Sequence, residues 1–145
     1  MTLQLHDNKQ WLCFLIEDET YAHPVNKIRE VHDYMAAVPV PGAPSYIEGV
    51  LNIRGEIVTI VSSRKLLGID ETDQHRHIVI IESKKGLVGI SVDEVVKITL
   101  LDLQNLVPVE QKNTLSPIYA TLKHKQQLII LADFERCFNQ MENYE

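Results

Sequence analysis

The chain has 145 residues, 45% of them hydrophobic, and carries 14 Lys and Arg against 20 Asp and Glu for a formal net charge of −6. That length holds one domain of ordinary size, or two very small ones sharing a core. No window approaches the roughly 18 apolar residues of a membrane-spanning helix, and residues 1–6 lack the basic start and long apolar stretch of a secretory signal, so cytoplasm is the expected compartment. The charge divides as −4 over residues 1–72 and −2 over the remainder. Neither half offers the cationic face that a phosphate backbone requires, and nucleic acid is not an expected partner. Cys13 and Cys137 sit in apolar stretches near opposite ends and read as buried reduced thiols rather than a disulfide.

Short runs rich in Val and Ile recur between turn residues, which predicts a mainly β chain. Residues 11–16 read as a strand, Glu17-Asp18-Glu19 as an acidic turn and 20–23 as the returning strand, together a surface hairpin. Pro24 cannot donate to a sheet ladder. The return strand therefore stops there, leaving 25–29 for a short helical turn and 31–38 for an extended segment. Pro39, Pro41 and Pro44 around Gly42 make 40–43 a stiff extended connector, since each proline drives its predecessor out of the helical region. Segments 49–53 and 56–61 flank Arg54-Gly55, a spacing that predicts a tight hairpin with Arg54 at its tip or shoulder. Residues 64–67 fit one helical turn closed by Gly68.

In the second half, 77–82 reads as a strand, Ser83-Lys84-Lys85-Gly86 as a turn and 87–92 as its partner. Another strand-like segment over 94–101 has Val95, Ile98 and Leu100 available for burial. Residues 102–117 look irregular, broken by Pro108 and Pro117. Segments 118–122 and 127–131 frame a polar turn at 123–126, and Phe134, Cys137 and Phe138 recur at helical spacing after Asp133, a candidate cap. Each half thus offers four or five short strands, the number for two small barrels packed on each other. Their approximate extents are 20–66 and 76–131, with the N-terminal strand and C-terminal helix crossing between them. No Gly/Ser-rich linker divides them, so residues 1–145 read as one domain.

Candidate chemistry is sparse. His75 and His77 share one face of a strand and could begin a metal site, yet spacing fixes no third ligand, and no zinc-type cysteine pair exists. Surface histidines at a strand start are the expectation. Ser62-Ser63-Arg64-Lys65 lacks both a Gly-rich phosphate loop and a nucleophile elbow, and helix capping accounts for Ser63 more simply. Asp93 and Glu94 are strand neighbours that point to opposite faces, which reads as a solvated strand end rather than an acid and base pair. No catalytic residue, metal or cofactor is expected. Arginine suits bidentate carboxylate contacts and protein interfaces, so Arg54, with Glu30 as a possible partner, reads as a surface residue.

The order of these features resembles the CheW family of chemotaxis coupling proteins. The likeness runs from the strand at Trp11 to the helix at Phe138. It is most specific over 49–61, where a glycine, an apolar pair, Asn52-Ile53-Arg54-Gly55 and an apolar strand follow the family's pattern. Tyr21-Ala22-His23-Pro24-Val25 with Ile28-Arg29-Glu30-Val31 resembles the family's tyrosine, small residue, apolar-proline-valine and later Glu-Val. Leu87-Val88-Gly89-Ile90-Ser91-Val92-Asp93 resembles its second glycine-centred strand, and Leu128-Ile129-Ile130-Leu131-Ala132-Asp133 its closing segment. Where the family continues with Pro and then an Asp-Leu pair, this chain has Thr59, Ser62 and Ser63. Ala120 stands in place of a glycine, and His124-Lys125-Gln126-Gln127 in place of an acidic-glycine turn.

The resemblance implies two five-stranded Src-homology-3-like barrels packed together with a short C-terminal helix. It implies a non-catalytic scaffold that joins the signalling tip of chemoreceptors to a CheA-type histidine kinase. By position, Ile28, Glu30, Gly49 and Arg54 fall on the receptor side, where a helix would lie in a groove between the barrels. Ile78, Val79 and Gly89 fall on the kinase side. The implied protein is cytoplasmic, mostly monomeric in isolation and recruited to membrane receptor arrays. It has no receiver domain of the kind CheV adaptors add, so regulation by its own phosphorylation is not expected. Other readings are a paralogue serving a twitching-pilus or other receptor and kinase pathway, and a small-molecule or metal-binding barrel using His75 and His77. A hydrolase reading has no motif behind it.

Overall fold

Two β-sheets account for nearly all regular structure in the computed structural model, which describes residues 10–110 and 116–140. The strands are β1 (Gln10–Ile16), β2 (Glu19–Pro24), β3 (Ile28–Asp33), β4 (Ile47–Ile53), β5 (Glu56–Ser62), β6 (His77–Ser83), β7 (Gly86–Val92), β8 (Glu94–Leu100), β9 (Val107–Pro108), β10 (Ile118–His124) and β11 (Gln127–Ala132). Helix α1 (Ser63–Leu66) follows β5 and α2 (Phe134–Gln140) follows β11, with 3-10 turns at Val25–Lys27 and Leu103–Asn105. The stretch expected to be irregular thus holds a 3-10 turn and β9, and residues 111–115 of it lie outside the described residues. Among the described residues no helix is long and apolar enough to cross a membrane.

One sheet has the order β3-β6-β7-β5-β4 and the other β8-β1-β2-β11-β10-β9. The barrels are therefore nested rather than consecutive: residues 28–92 make the inner one, and both ends of the chain make the outer one. This differs from the extents 20–66 and 76–131 expected from the sequence. The physical reason is the parallel pairing of β2 with β11, which sets Thr20 beside Ile129 and Ala22 beside Leu131. Parallel neighbours are joined by no hairpin turn, so no local signal announces them. The same pairing places the β1–β2 hairpin inside its sheet, between β8 and β11. It is largely buried, not superficial as its acidic turn suggests.

Three apolar clusters follow from strands buried on both faces. Leu51, Ile53, Val58, Ile60, Ile78 and Ile80 fill the inner barrel, and Trp11, Cys13, Ala22, Leu101, Ala120, Leu122, Ile129 and Leu131 fill the outer one. A shared core between them takes Leu12, Phe14, Ile16 and Tyr21 from one sheet, Val61, Val79, Ile81, Val88, Ile90 and Val92 from the other, and Phe134, Cys137 and Phe138 from α2. Alternate residues of β1 and β6 enter different clusters, which is why both read as unbroken apolar runs. Each fully buried Ile on β6 contributes about 1.5–3 kcal/mol relative to exposure.

β8 is an edge strand. Val95 packs against the shared core, whereas Val96, Ile98 and Leu100 are 51%, 54% and 58% exposed. Ile98 and Leu100 are therefore not buried as expected, because no strand or helix among the described residues covers that face of the edge.

Candidate partner-binding site

The β4–β5 hairpin presents Arg54 at its tip. Arg54 and Gly55 have φ of 51° and 87°, the pair of positive values that a two-residue I′ turn needs. The turn is fastened from within, since Asn52 Oδ1 accepts the Gly55 N–H at 2.9 Å. Arg54 then reaches across to β3 and donates through Nη2 to Glu30 Oε2. Its side chain is 66% exposed while that of Glu30 is 28% exposed. Sequence spacing alone could not bring the two together; barrel curvature does.

A second set of charges braces the same end of the inner barrel. The ladder between β3 and β6 slips between Ile28 and Glu30, so Arg29 is the extra residue of a bulge. Its guanidinium spans Glu56 at 3.3 Å and Glu82 at 3.2 Å, on the starts and ends of β5 and β6 respectively. Exposed Val31 and Ile57 directly follow Glu30 and Glu56 in sequence. Charge pairs with apolar residues between them suit a polar-rimmed protein contact rather than bond-making chemistry. Ile28 is partly buried against the shared core, so only part of its side chain is available on this side.

Gly49 is buried and has no side chain to offer a partner; its role is closure of the barrel. Val38, on the strap after β3, forms an isolated bridge with Val50, with N–H to O distances of 2.9 Å in both directions. The strap then turns through Val40, Pro41, Gly42 and Ala43, which with Ile47, Val50 and Thr59 line an open groove of about 350 Å³. Of Thr59, Ser62 and Ser63, Thr59 alone lines this groove.

Ser62 and Ser63 face inward. Ser62 Oγ accepts the Lys65 N–H at 3.1 Å and donates to Glu71, so the cap of α1 is Ser62 and not Ser63. Ser63 is the first helical residue, and its buried Oγ has no hydrogen-bond partner among the described residues. Glu71 also lies 3.6 Å from His75 Nε2. His75 packs on the Tyr34 ring at 4.9 Å, and Tyr34 and Ser91 both donate to Glu48, at 3.1 and 2.6 Å. Burial, reinforced by Glu48, pushes the Tyr34 phenol up to about 12. In this seam the carboxylate of Glu71 separates Ser62 from His75, so no imidazole is placed to take the serine proton.

His75 and His77 are half-buried rather than surface histidines. Their ring nitrogens do not converge on an ion, because His77 Nδ1 accepts the Val95 N–H at 3.0 Å and His75 is turned toward Tyr34 and Glu71. Among the described residues no group of three or more His, Cys, Asp or Glu is arranged to hold a metal.

Asp93 is likewise not a solvated strand end. Arg64 donates to it twice, from Nε at 3.0 Å and Nη2 at 2.7 Å. It also pairs with Glu17 at 2.7 Å and donates to the Asp70 carbonyl at 2.6 Å. Burial pulls the Asp93 carboxyl upward, but the Arg64 hydrogen bonds and charge and the Glu17 N–H outweigh it and hold the group below its ordinary value. The hydrogen bonds that Arg64 donates to Asp93 likewise raise Arg64. Since Glu17 lies in the β1–β2 turn, this fork pins the two barrels together. The sequence singled out Arg64 only within the run Ser62-Ser63-Arg64-Lys65, and its ion pairs left no local signal because Glu17 and Asp93 are distant in the chain.

The kinase-side positions lie inside. Ile78 is 0% and Val79 2% exposed, on opposite faces of the central strand β6. A Cβ on Gly89 would come within 2.6 Å of Ile78 Cγ2 and 2.9 Å of Ile60 Cδ1. These three residues are packing residues, and their side chains present no surface to a partner.

The arrangement has counterparts among known proteins. The CheW-like domain family matches residues 10–142. The chemotaxis protein CheW of Bacillus subtilis (strain 168) is 28% identical, with 92% of this chain and 88% of that protein covered. The CheW of Thermotoga maritima is 29% identical over 90% and 87%, and that of Rhizobium meliloti 27% over 90% and 74%. The crystal structure of the scaffolding protein TtCheW from Thermoanaerobacter tengcongensis has the same fold, with a TM-score of 0.80 at 24% identity over 95% of this chain and 96% of that one. A paired-barrel fold and a family match that spans every described residue lead to one assignment: the chain belongs to the CheW-like family.

Proposed function

We propose that this chain is a non-catalytic scaffold that couples chemoreceptor signalling tips to a CheA-type histidine kinase at membrane-associated receptor arrays on the cytoplasmic side. The observation that carries this reading is the Arg54–Glu30 pair, held out on a braced hairpin while the buried polar groups around it serve packing. A bidentate-capable guanidinium that is two-thirds exposed can exchange or share its carboxylate partner with an incoming helix. Such a contact biases a bound kinase only if the receptor binds differently in its two signalling states.

In this reading the kinase-side contribution of Ile78, Val79 and Gly89 is indirect, through the rigidity of the central strands. The surface offered to the kinase is the exposed row Val96, Ile98 and Leu100 on β8, an apolar strip that is a sheet edge among the described residues, of the kind that adds to another sheet.

The test is co-precipitation of the purified chain with the receptor tips and CheA-type kinases of its own cell, run beside Arg54→Ala and Ile98→Glu. Wild-type capture of both partners, loss of receptor only in the first variant and of kinase only in the second, supports the assignment. Capture of neither partner by the folded wild-type chain overturns it.

A further inference from the structure

His23 stands where the family pattern has an apolar residue before proline, and it is completely buried. It closes β2 and meets the start of α2. The Phe134 N–H, one of the donors a helix leaves unpaired at its N-terminus, points at His23 Nε2 from 3.0 Å. An N–H can only donate, so Nε2 holds a lone pair and the ring proton sits on Nδ1, 3.2 Å from the Pro24 carbonyl. The ring is thus neutral and fixed in one tautomer. It also stacks on the Phe134 ring, with centroids 5.9 Å apart and planes 12° apart.

We propose that His23 is an acid-operated latch on α2: a second proton on its ring releases the first turn of the helix from β2 while both sheets stay folded. That proton would set two N–H donors against each other across 3.0 Å and bury a cation at the positive end of the helix dipole. The charged groups facing the ring are Asp133 and Glu135, which favour the cation, and Lys27, which opposes it; β1 places Leu12 opposite His23. Burial outweighs the carboxylates and holds the imidazole below its ordinary value of 6.5.

Release is local because α2, besides its apolar packing in the shared core, is tied among the described residues through side chains and a turn amide rather than through a sheet ladder, Glu135 pairing with Lys27 at 3.0 Å and Arg136 lying over the Tyr119 ring. Asp133 accepts the Arg136 N–H through Oδ1 at 3.0 Å and the Lys27 ammonium through Oδ2 at 2.9 Å, and Asn139 Oδ1 accepts the Lys84 N–H at 2.8 Å. Undocking uncovers Phe134 and Phe138, which cap the shared core, and leaves the ladders of both sheets intact. The latch does not depend on the coupling assignment.

The test is hydrogen exchange of the full chain across the histidine range, with rates normalised to intrinsic exchange, alongside the proton shifts of the His23 ring. The expected result is a loss of α2 protection by about tenfold per pH unit below 6.5, levelling off once the ring has titrated, with β6 and β7 unchanged. In His23→Gln, whose amide can accept from Phe134 and donate to Pro24 without titrating, α2 protection should not vary with pH. Three results overturn the latch: constant α2 protection in the wild type while His23 titrates, simultaneous loss from β6 and β7, or unchanged pH dependence in a folded Gln variant.

Discussion

The carbonyl oxygen of Val38 occupies the space in which a side chain on residue 49 would begin: a Cβ built on Gly49 lies 2.1 Å from it, at a φ of 149°. The strap bridge to Val50 and the absence of a side chain at 49 are therefore one device. Gly49→Ala should lower stability by about 2–4 kcal/mol, from backbone strain plus displacement of the strap. Urea unfolding would show it, and partner binding at low temperature should fall only as far as folded protein is lost. A variant with wild-type stability but no receptor binding would return Gly49 to the contact surface.

Arg64 and Asp93 make the second prediction. Removing one member of a buried, bidentate pair leaves the other uncompensated, so Arg64→Ala should cost about 3–5 kcal/mol. The pair also sets part of the acid limit. Because the Asp93 carboxyl is held below its ordinary 3.8, its contribution is complete above that value and disappears as pH falls through the folded-state value. The urea midpoint of the wild type should drop below about pH 4, and less steeply in Arg64→Ala.

The two serines before Arg64 should separate cleanly. Ser62→Ala loses the α1 cap and the Glu71 contact and should cost about 1–2 kcal/mol. Ser63→Ala removes a buried hydroxyl without a partner among the described residues and should be neutral or stabilising by about 0.5–1 kcal/mol. Thermal melts of the two variants decide this, and equal losses would mean that Ser63 has a bond the fold does not reveal.

Thiol chemistry gives a check on packing. Cys13 and Cys137 are each 1% exposed; burial raises the Cys13 thiol and pushes that of Cys137 up to about 12. A disulfide-exchange reagent should label neither in the native chain and both in urea, since the thiolate is the reactive form. Native labelling of Cys137 would mean that α2 opens at neutral pH.

The legible parts were those with a local cause. Positive-φ demand at Arg54-Gly55, the glycine ending α1 and the spacing of Phe134, Cys137 and Phe138 each write their structure into a few neighbouring residues. Strand pairings without a turn between them left no such trace, so the nesting of β2 with β11 was hidden. The kinase-side placement of Ile78 and Val79 came from the resemblance alone, whereas the unbroken Val and Ile run of β6 says that both of its faces are covered, and both side chains are buried. Arg64 was missed because its partners, Glu17 and Asp93, are distant in sequence and come together only when the barrels meet.

Nesting also dictates an order of events during synthesis. All five strands of the inner barrel are synthesised before β10 and β11, so the segment that carries Arg54 and Glu30 can form its sheet before the outer sheet is complete. β2 must then wait for its parallel partner, and Trp11, whose cluster is completed by Ala120, Leu122, Ile129 and Leu131, stays uncovered until the last strands arrive. The N-terminal hairpin is for that interval an exposed apolar template, and its acidic turn at Glu17, Asp18 and Glu19 supplies the charge that discourages premature pairing with other nascent chains.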